Sequence, residues 1–306
     1  MNINRVLKSN STCRSITGLD VNAFRRLLEN FTWVYDQHVR EEHKLNCKIR
    51  AFGGGKKGKF ATHADKLCLI LFFLKVYPTE AVMGVLFDVC ESATGMRVRY
   101  LRPILEKTLK HLTVLPKRKI RSIEELFEQF PEIKEVYVDC VERPVQRKID
   151  KKKSNQNYSG KKKNSTRKNL VIAGKGKTRD SREILFLSKT RKGKRHDKKI
   201  SDKDQIYQFI PDNIEIYQDT GFQGTQKLHP NVIMPKKKTK KKPLTKEDIF
   251  NNKLISSIRI KVEHANWGLK RLNSIMHTFR HKLTELDDDC MLLAAGIWNF
   301  HLLHKN

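Results

Sequence analysis

An all-helical N-terminal domain followed by an α/β domain is the fold class that this sequence predicts, and three patterns predict it. Through the first third of the chain apolar residues recur at helical spacing. From Val136 to Asp219 they fall in short β-branched and aromatic runs separated by polar, lysine-rich stretches. After about Thr245 helical spacing returns. Strands followed by helices build an α/β or α+β layer. A length of 306 residues suits two domains, placed here at 1–130 and 131–306, and can bury a sizeable core.

Each element has its own signal. Residues 1–18 are polar and read as poorly ordered at the start. LDVNAFRRLLENFTWVYDQHV forms a helix with Phe24, Leu27, Leu28, Phe31 and Val34 along one face. FGGGKKGK at 52–59 is a glycine- and lysine-rich loop without the spacing or the following Ser/Thr of a P-loop. Thr62 and Asp65 make a capping box for a helix, ADKLCLILFFLKVY, that is apolar almost all round and therefore buried. Pro78 stops it, Thr79 caps a short helix to about Phe87, and Ser92 caps a third, in which Pro103 forces a kink or a restart. Helix, short helix, turn and helix, with Arg97, Arg99 and Arg102 on the last, reads either as a helix-turn-helix or as a bundle with solvated arginines. SIEELFEQFPEIKE bridges to four strands, VYVDC, KNLVIAG, REILFLS and NIEIYQD.

Charge narrows the function. Lys and Arg total 63 against 33 acids, a formal +30, which attracts polyanions without separating DNA from RNA or an anionic membrane. The six cysteines form no CxxC pair, so no zinc knuckle or redox motif is expected, and Cys68 and Cys90 lie among apolar residues that suggest burial. The longest apolar run, Leu67 to Leu74, is eight residues, where a membrane span needs about 20. With no apolar leader at the start, a soluble, cytoplasmic protein without membrane contact is expected.

Three acids carry the chemistry. Asp139 and Asp219 each close a strand, and Glu263 lies in the helix-patterned SSIRIKVEHANWGLKRL. Strand ends are preferred positions for ligand chemistry in α/β sheets. Carboxylates suit Mg²⁺, and a pair of such ions can clamp the attacking and leaving oxygens of a phosphoryl group. Taken singly, either aspartate is also an ordinary turn former, and Glu263 an ordinary ion-pair partner of Arg259. Arg259, Glu263 and Lys270 share one helix face, as does Trp267, which is expected to pack in the core. His196 and His264 stand beside carboxylates and are expected to be structural. Lys161, Lys162 and Lys163, and the run at 236–242, are basic loops suited to phosphate.

Several of these stretches together resemble the DDE transposases of bacterial insertion sequences, of the DDE-superfamily endonuclease branch with Harbinger-like nuclease relatives. The resemblance runs from about Val136 to Asn306 through VDCVERPVQR, YSGKKKNSTRKNLVI, HDKKISD, YQDTGFQG, PKKKTKKKPLT and IRIKVEHANWGLKRL. It includes the spacing of a signature written Tyr, two residues, Arg, three, Glu, six, Lys, matched here by Arg259, Glu263 and Lys270. Ser256 stands where the signature has Tyr, and Cys140 and Val141 follow the first Asp where relatives often have Gly and Thr. The resemblance implies an RNase H-like catalytic domain, a mixed sheet flanked by helices, after a helix-turn-helix-like domain. It implies metal-dependent cleavage and strand transfer of DNA at the ends of an insertion sequence, with Asp139, Asp219 and Glu263 holding two Mg²⁺ or Mn²⁺ ions. Arg259, Lys270, Arg97, Arg99, Arg102 and Lys161–Lys163 would contact DNA, both terminal inverted repeats and target, and the protein would act as a homo-oligomer. A domesticated DNA-binding protein and a plain nuclease are the other two readings.

Overall fold

The computed structural model describes residues 1–45, 58–120, 122, 125, 133–178, 180–239, 243–281 and 284–305. Most of the glycine- and lysine-rich loop at 52–59, most of the bridging stretch 122–135 and the end of the basic run at 236–242 lie outside the described residues. The chain divides into two compact units, Met1–Leu115 with Arg271–Ser274, and Pro116–Lys270 with Ile275–Lys305.

The first unit is helical. Its helices are α1 (Ile3–Val6), α2 (Asn10–Thr17), α3 (Val21–Leu45), α4 (His63–Val76), α5 (Glu80–Phe87) and α6 (Glu91–His111). The start of the chain is more ordered than its polar composition suggests, because Ser9 caps α2 through Thr12 N–H at 3.2 Å and Cys13 and Thr17 are buried. Along α3, Phe24, Leu27, Phe31 and Val34 are buried, as the spacing requires, while Leu28 lies at the edge of that face. The capping box of α4 forms, Leu67 to Leu74 are all buried, and Tyr77 ends the helix in the left-handed region at φ 54°.

Two features of α6 refine what the sequence predicts. The cap of α6 is Cys90 and not Ser92: Cys90 has the extended backbone of a cap, and its carbonyl accepts from Ala93 and Thr94. Cys90 is consequently exposed, whereas Cys68 is buried and burial pushes its thiol up to about 12. Pro103 lies inside α6, which runs on past it without restarting. Proline withholds one backbone donor, and buried Leu101, Ile104 and Leu105 on either side hold the helix against the unit's core. The pair α5–α6 is tight: a Cβ on Gly95 would stand 2.6 Å from Glu80 Oε2, and Thr94 Oγ1 donates to the Glu80 carbonyl at 3.2 Å.

The second unit is a mixed sheet with helices against it. Its strands are β1 (Glu135–Pro144), β2 (Tyr158–Ser159), β3 (Asn164–Gly174), β4 (Glu183–Leu187), β5 (Arg191–Lys192), β6 (Glu215–Gln218) and β7 (Val232–Ile233), in the order β2-β3-β1-β6-β7, with β4 and β5 also on β3. The four strands read from the sequence are all present. β1 runs antiparallel to β3, pairing Asp139 with Val171, and parallel to β6, pairing Val138 with Gln218. The helices are α7 (Lys151–Asn157), α8 (Asp197–Asp204), α9 (Lys246–Lys270), α10 (Asn273–Met276) and α11 (Thr284–Leu303).

β1 is apolar without alternation because both its faces are covered. Val136 and Val138 join Leu170, Ile172, Ile216 and Ile200 of α8 in one core. Tyr137 and Asp139 point the other way, to α9, where Lys261 Nζ donates to the Tyr137 hydroxyl at 2.5 Å. The outer side of β4 is covered by the Lys117 backbone, which bonds Leu185 and Leu187, and by an amide: Asn299 on α11 accepts from Ile184 N–H at 2.9 Å and donates to its carbonyl at 2.8 Å.

Beneath this lies a buried ionic group. Asp287 on α11, 1 % exposed, meets Arg143 of β1 at 2.7 Å and Arg167 of β3 at 2.6 Å. Such a group contributes little beyond an apolar equivalent, but removing one partner strands the others. Asp287→Ala leaves two buried guanidiniums unpaired and should lower unfolding free energy by about 3–5 kcal/mol, measured by urea denaturation.

Candidate active site

The parallel pair β1–β6 delivers two aspartates side by side. Asp139 lies one residue past Val138, and Asp219 one residue past Gln218, its partner in register. Asp219 turns the chain: its carboxylate accepts from Thr220 N–H at 2.7 Å and opens a 3-10 turn, Thr220–Phe222. Asp139 accepts from two donors, Cys140 N–H and Asn266 Nδ2, each at 2.8 Å. Burial pushes the Asp139 carboxyl above its ordinary value. The Cys140 N–H and the charge of Arg259 pull it down, and the charges of Asp219 and Asp197 add to the rise.

Helix α9 brings the cations. Arg259 Nη1 stands 3.9 Å from Asp219 Oδ1, its side chain only 12 % exposed and its Nε buried without a partner. Arg259 therefore reaches one aspartate and Asn266, two turns on, reaches the other. Glu263 lies between them on the same side of the helix, exposed and with its carboxylate free of both aspartates, and Lys270 follows, half-buried. Of the face read from the spacing, Arg259 meets an aspartate, while Glu263 faces solvent.

The remaining candidates are placed as follows. Arg97 and Arg99 are exposed on α6 and Arg102 is half-buried. Lys161–Lys163 form an exposed turn before β3, Lys163 with φ 49°. His196 and His264 are exposed, and Ser256 is exposed on α9. Cys140 packs against the α8-side core, and burial pushes its thiol well up; Val141 is buried. Trp267 is not a core residue: it is 63 % exposed. Its neighbour Gly268 takes the inward position, pressed against the Trp298 indole so closely that no Cβ would fit, and Val262, Ala265 and Leu269 complete the buried side.

Two site residues escaped the sequence reading. Asn266 is one; its place three residues after Glu263 was the available signal. The other is Asp197, at the start of α8 in HDKKISD. It accepts from Lys168 Nζ at 3.0 Å, and a Cβ on Gly221 would lie 3.2 Å from its Oδ2, so it borders the Asp219 turn from the opposite face of the sheet.

The fit to a divalent ion can be tested on these atoms. Among the described residues no three His, Cys, Asp or Glu side chains already stand as a metal-holding group. The donors present are nonetheless hard oxygens, Asp139 is a buried carboxylate without a lysine or arginine bonded to it, and the buried Asn266 Oδ1 has no partner. That set fits Mg²⁺ or Mn²⁺ and suits neither zinc nor copper.

Carboxylates gathered on a parallel strand pair under a basic helix, Asp219 just past β6 and Asp139 midway along β1 rather than at the strand end expected of it, in a chain of formal charge +30, define an enzyme working on a phosphate polyanion. The chain belongs to the DDE superfamily endonucleases, whose family profile matches residues 138–299. It is 30 % identical over 244 residues to a protein of Microchaete diplosiphon described as a probable transposase for insertion sequence element IS702, covering 79 % of this chain and 81 % of that protein. No solved structure matches it. No described helix is long and apolar enough to cross a membrane.

Because the folded state raises the Asp139 pKa, it favours the neutral acid. The resulting loss of stability is absent below the unfolded value of 3.8 and complete above the raised folded value. In metal-free buffer Asp139→Asn should therefore melt higher than the wild type at neutral pH, with the difference vanishing toward about pH 4. The Asn266 amide can turn over and let its orphan Oδ1 accept from the new amide. Added Mg²⁺ should raise the Tm of the wild type and not of the variant. Calorimetry across pH, with and without Mg²⁺, measures both effects.

Proposed function

We propose that this chain is the transposase of an insertion sequence, cleaving DNA at the element's ends and joining the freed 3′-hydroxyl to target DNA. The observation that carries the proposal is the grip of α9, the helix that carries Glu263, on both aspartates: Asn266 on Asp139 and Arg259 on Asp219. The family membership and the transposase relative support it. On this reading the second unit is RNase H-like, and α5–α6 act as a helix-turn-helix.

Asp139, Asp219 and Glu263 would hold two Mg²⁺ or Mn²⁺ ions. Bound there, the ions would activate a water or hydroxyl nucleophile and stabilise the leaving oxygen. Asn266 holds the Asp139 carboxylate in one orientation. Arg259, confined by burial, presents a planar fork to a phosphate, and Lys270 offers a point charge farther along the helix. Arg97, Arg99 and Arg102 on α6 would read or position the terminal inverted repeats, and Lys161–Lys163 would follow the backbone. The active form is a homo-oligomer on DNA, so that two ends are processed together.

The test is a supercoiled plasmid carrying the element with its own flanks. Asp139→Ala, Asp219→Ala and Glu263→Ala should each reduce Mg²⁺-dependent cleavage below detection while retaining DNA binding, and EDTA should silence the wild type. Cleavage at the wild-type rate by any one of them removes that residue from the site. Cleavage without joining would make the protein a plain nuclease.

Base reading and phosphate holding separate in binding assays. Arg97→Ala or Arg99→Ala should cost about 1–3 kcal/mol of discrimination between element ends and random DNA. Lys270→Ala should weaken both alike and reduce the salt slope by about 1. Titrations across ionic strength distinguish the two outcomes.

A further inference from the structure

The α8 side of the sheet carries a chain of charged side chains behind the two aspartates. Glu142 follows Asp139 by three residues on β1 and so points to the other face, directly opposite Lys168 of β3. Its Oε1 accepts from Thr166 Oγ1 at 2.5 Å, and its Oε2 lies 3.9 Å from Lys168 Nζ. Lys168 reaches on to Oδ1 of Asp197, the first residue of α8, at 3.0 Å. The side chains of Glu142 and Lys168 are only 8 % and 11 % exposed, so little water screens this link. Burial works against the Lys168 ammonium, but the Asp197 hydrogen bond and the charges of Asp197 and Glu142 hold its pKa above the ordinary value.

The far end of this chain meets the Asp219 turn. A Cβ on Gly221 would lie 3.2 Å from Asp197 Oδ2, so the backbone two residues past Asp219 rests against that carboxylate. The next residue of α8 repeats the contact. Gly224 takes φ 98°, and a Cβ there would stand 3.1 Å from Lys198 Cε. Phe222, 1 % exposed, seats the same turn in the α8-side core. Glu142, Lys168 and Asp197 therefore connect the strand of Asp139 to the turn of Asp219 by a route separate from α9. From the α9 side Arg259 attracts Asp219 at 3.9 Å, longer than a hydrogen bond.

We propose that Asp197 is a positioning residue for the metal site: braced by Lys168, its carboxylate fixes the Asp219 turn at one separation from Asp139. The inference rests on the site reading given above and adds to it what sets the spacing of the two aspartates. Carboxylates that share cations must hold one geometry, and the groups that orient them from behind tune the affinity of the site.

The experiment titrates the full chain with Mn²⁺, followed by electron paramagnetic resonance, and measures plasmid cleavage against Mg²⁺ concentration. Asp197→Ala should raise the half-saturating concentration in both by about tenfold or more, while DNA affinity in EDTA stays at the wild-type level. Asp197→Asn keeps the volume and an oxygen for Lys168, and should recover most of the loss. Gly221→Ala keeps every charge but crowds the carboxylate, and should also weaken Mn²⁺ binding. It carries the test if Asp197→Ala does not fold. Unchanged half-saturation in Asp197→Ala and Gly221→Ala, whatever their Tm, would overturn the proposal. So would an equal loss in Asp197→Ala and Asp197→Asn with Gly221→Ala at the wild-type level, since that makes Asp197 a distant charge only. Asp219→Ala keeps the two readings apart. If it binds Mn²⁺ as the wild type does, the site reading fails, whereas if it loses Mn²⁺ and the Asp197 and Gly221 variants do not, only the positioning fails.

Discussion

The rest of the second unit depends on one arrangement: a carboxylate placed in the middle of a strand that is covered on both faces. Asp139 follows three apolar residues of β1, with α8 against one face of the sheet and α9 against the other. A carboxylate there loses hydration, and the structure returns only part of it, through the Cys140 N–H and the Asn266 amide. Arg259 faces Asp219 and supplies its charge to Asp139 from a distance. Burial prevails over these compensations and holds the Asp139 carboxyl above its ordinary value.

Such a site needs a rigid frame, and the frame is built from polar side chains as much as from the core. Asp287 ties α11 to β1 and β3 through Arg143 and Arg167, and Asn299 completes the hydrogen bonds of β4. These contacts fix the sheet on the face that also carries α9, and α11 packs against α9 there through Trp298 on Gly268. The small residue at Gly268 lets α9 approach closely enough for Asn266 to reach Asp139. One helix therefore combines packing, carboxylate orientation and phosphate attraction on three adjacent stripes.

The first unit shows local signals prevailing where they are strong. The capping box at Thr62, the all-apolar α4 and the spacing along α3 are all realised. They fail where two caps compete within three residues, as at Cys90 and Ser92; at Pro103 the helix runs on without a restart, because packed neighbours outweigh one lost hydrogen bond.

By itself the sequence determined the order of elements, the four main strands, the acid that closes β6 and the helix face shared by Arg259, Glu263 and Lys270, because all are functions of spacing and local residue type; it set Asp139 at a strand end, whereas β1 runs on to Pro144. Pairing was beyond it. That β1 runs parallel to β6, setting Asp139 beside Asp219, depends on contacts between residues about eighty positions apart. Spacing from Glu263 hinted at Asn266, but the roles of Asn266 and Asp197 lie in partners across the fold. Trp267 was misread for the same reason: spacing places it on a face, but only the close packing of Gly268 on Trp298 decides which faces of α9 the core can cover.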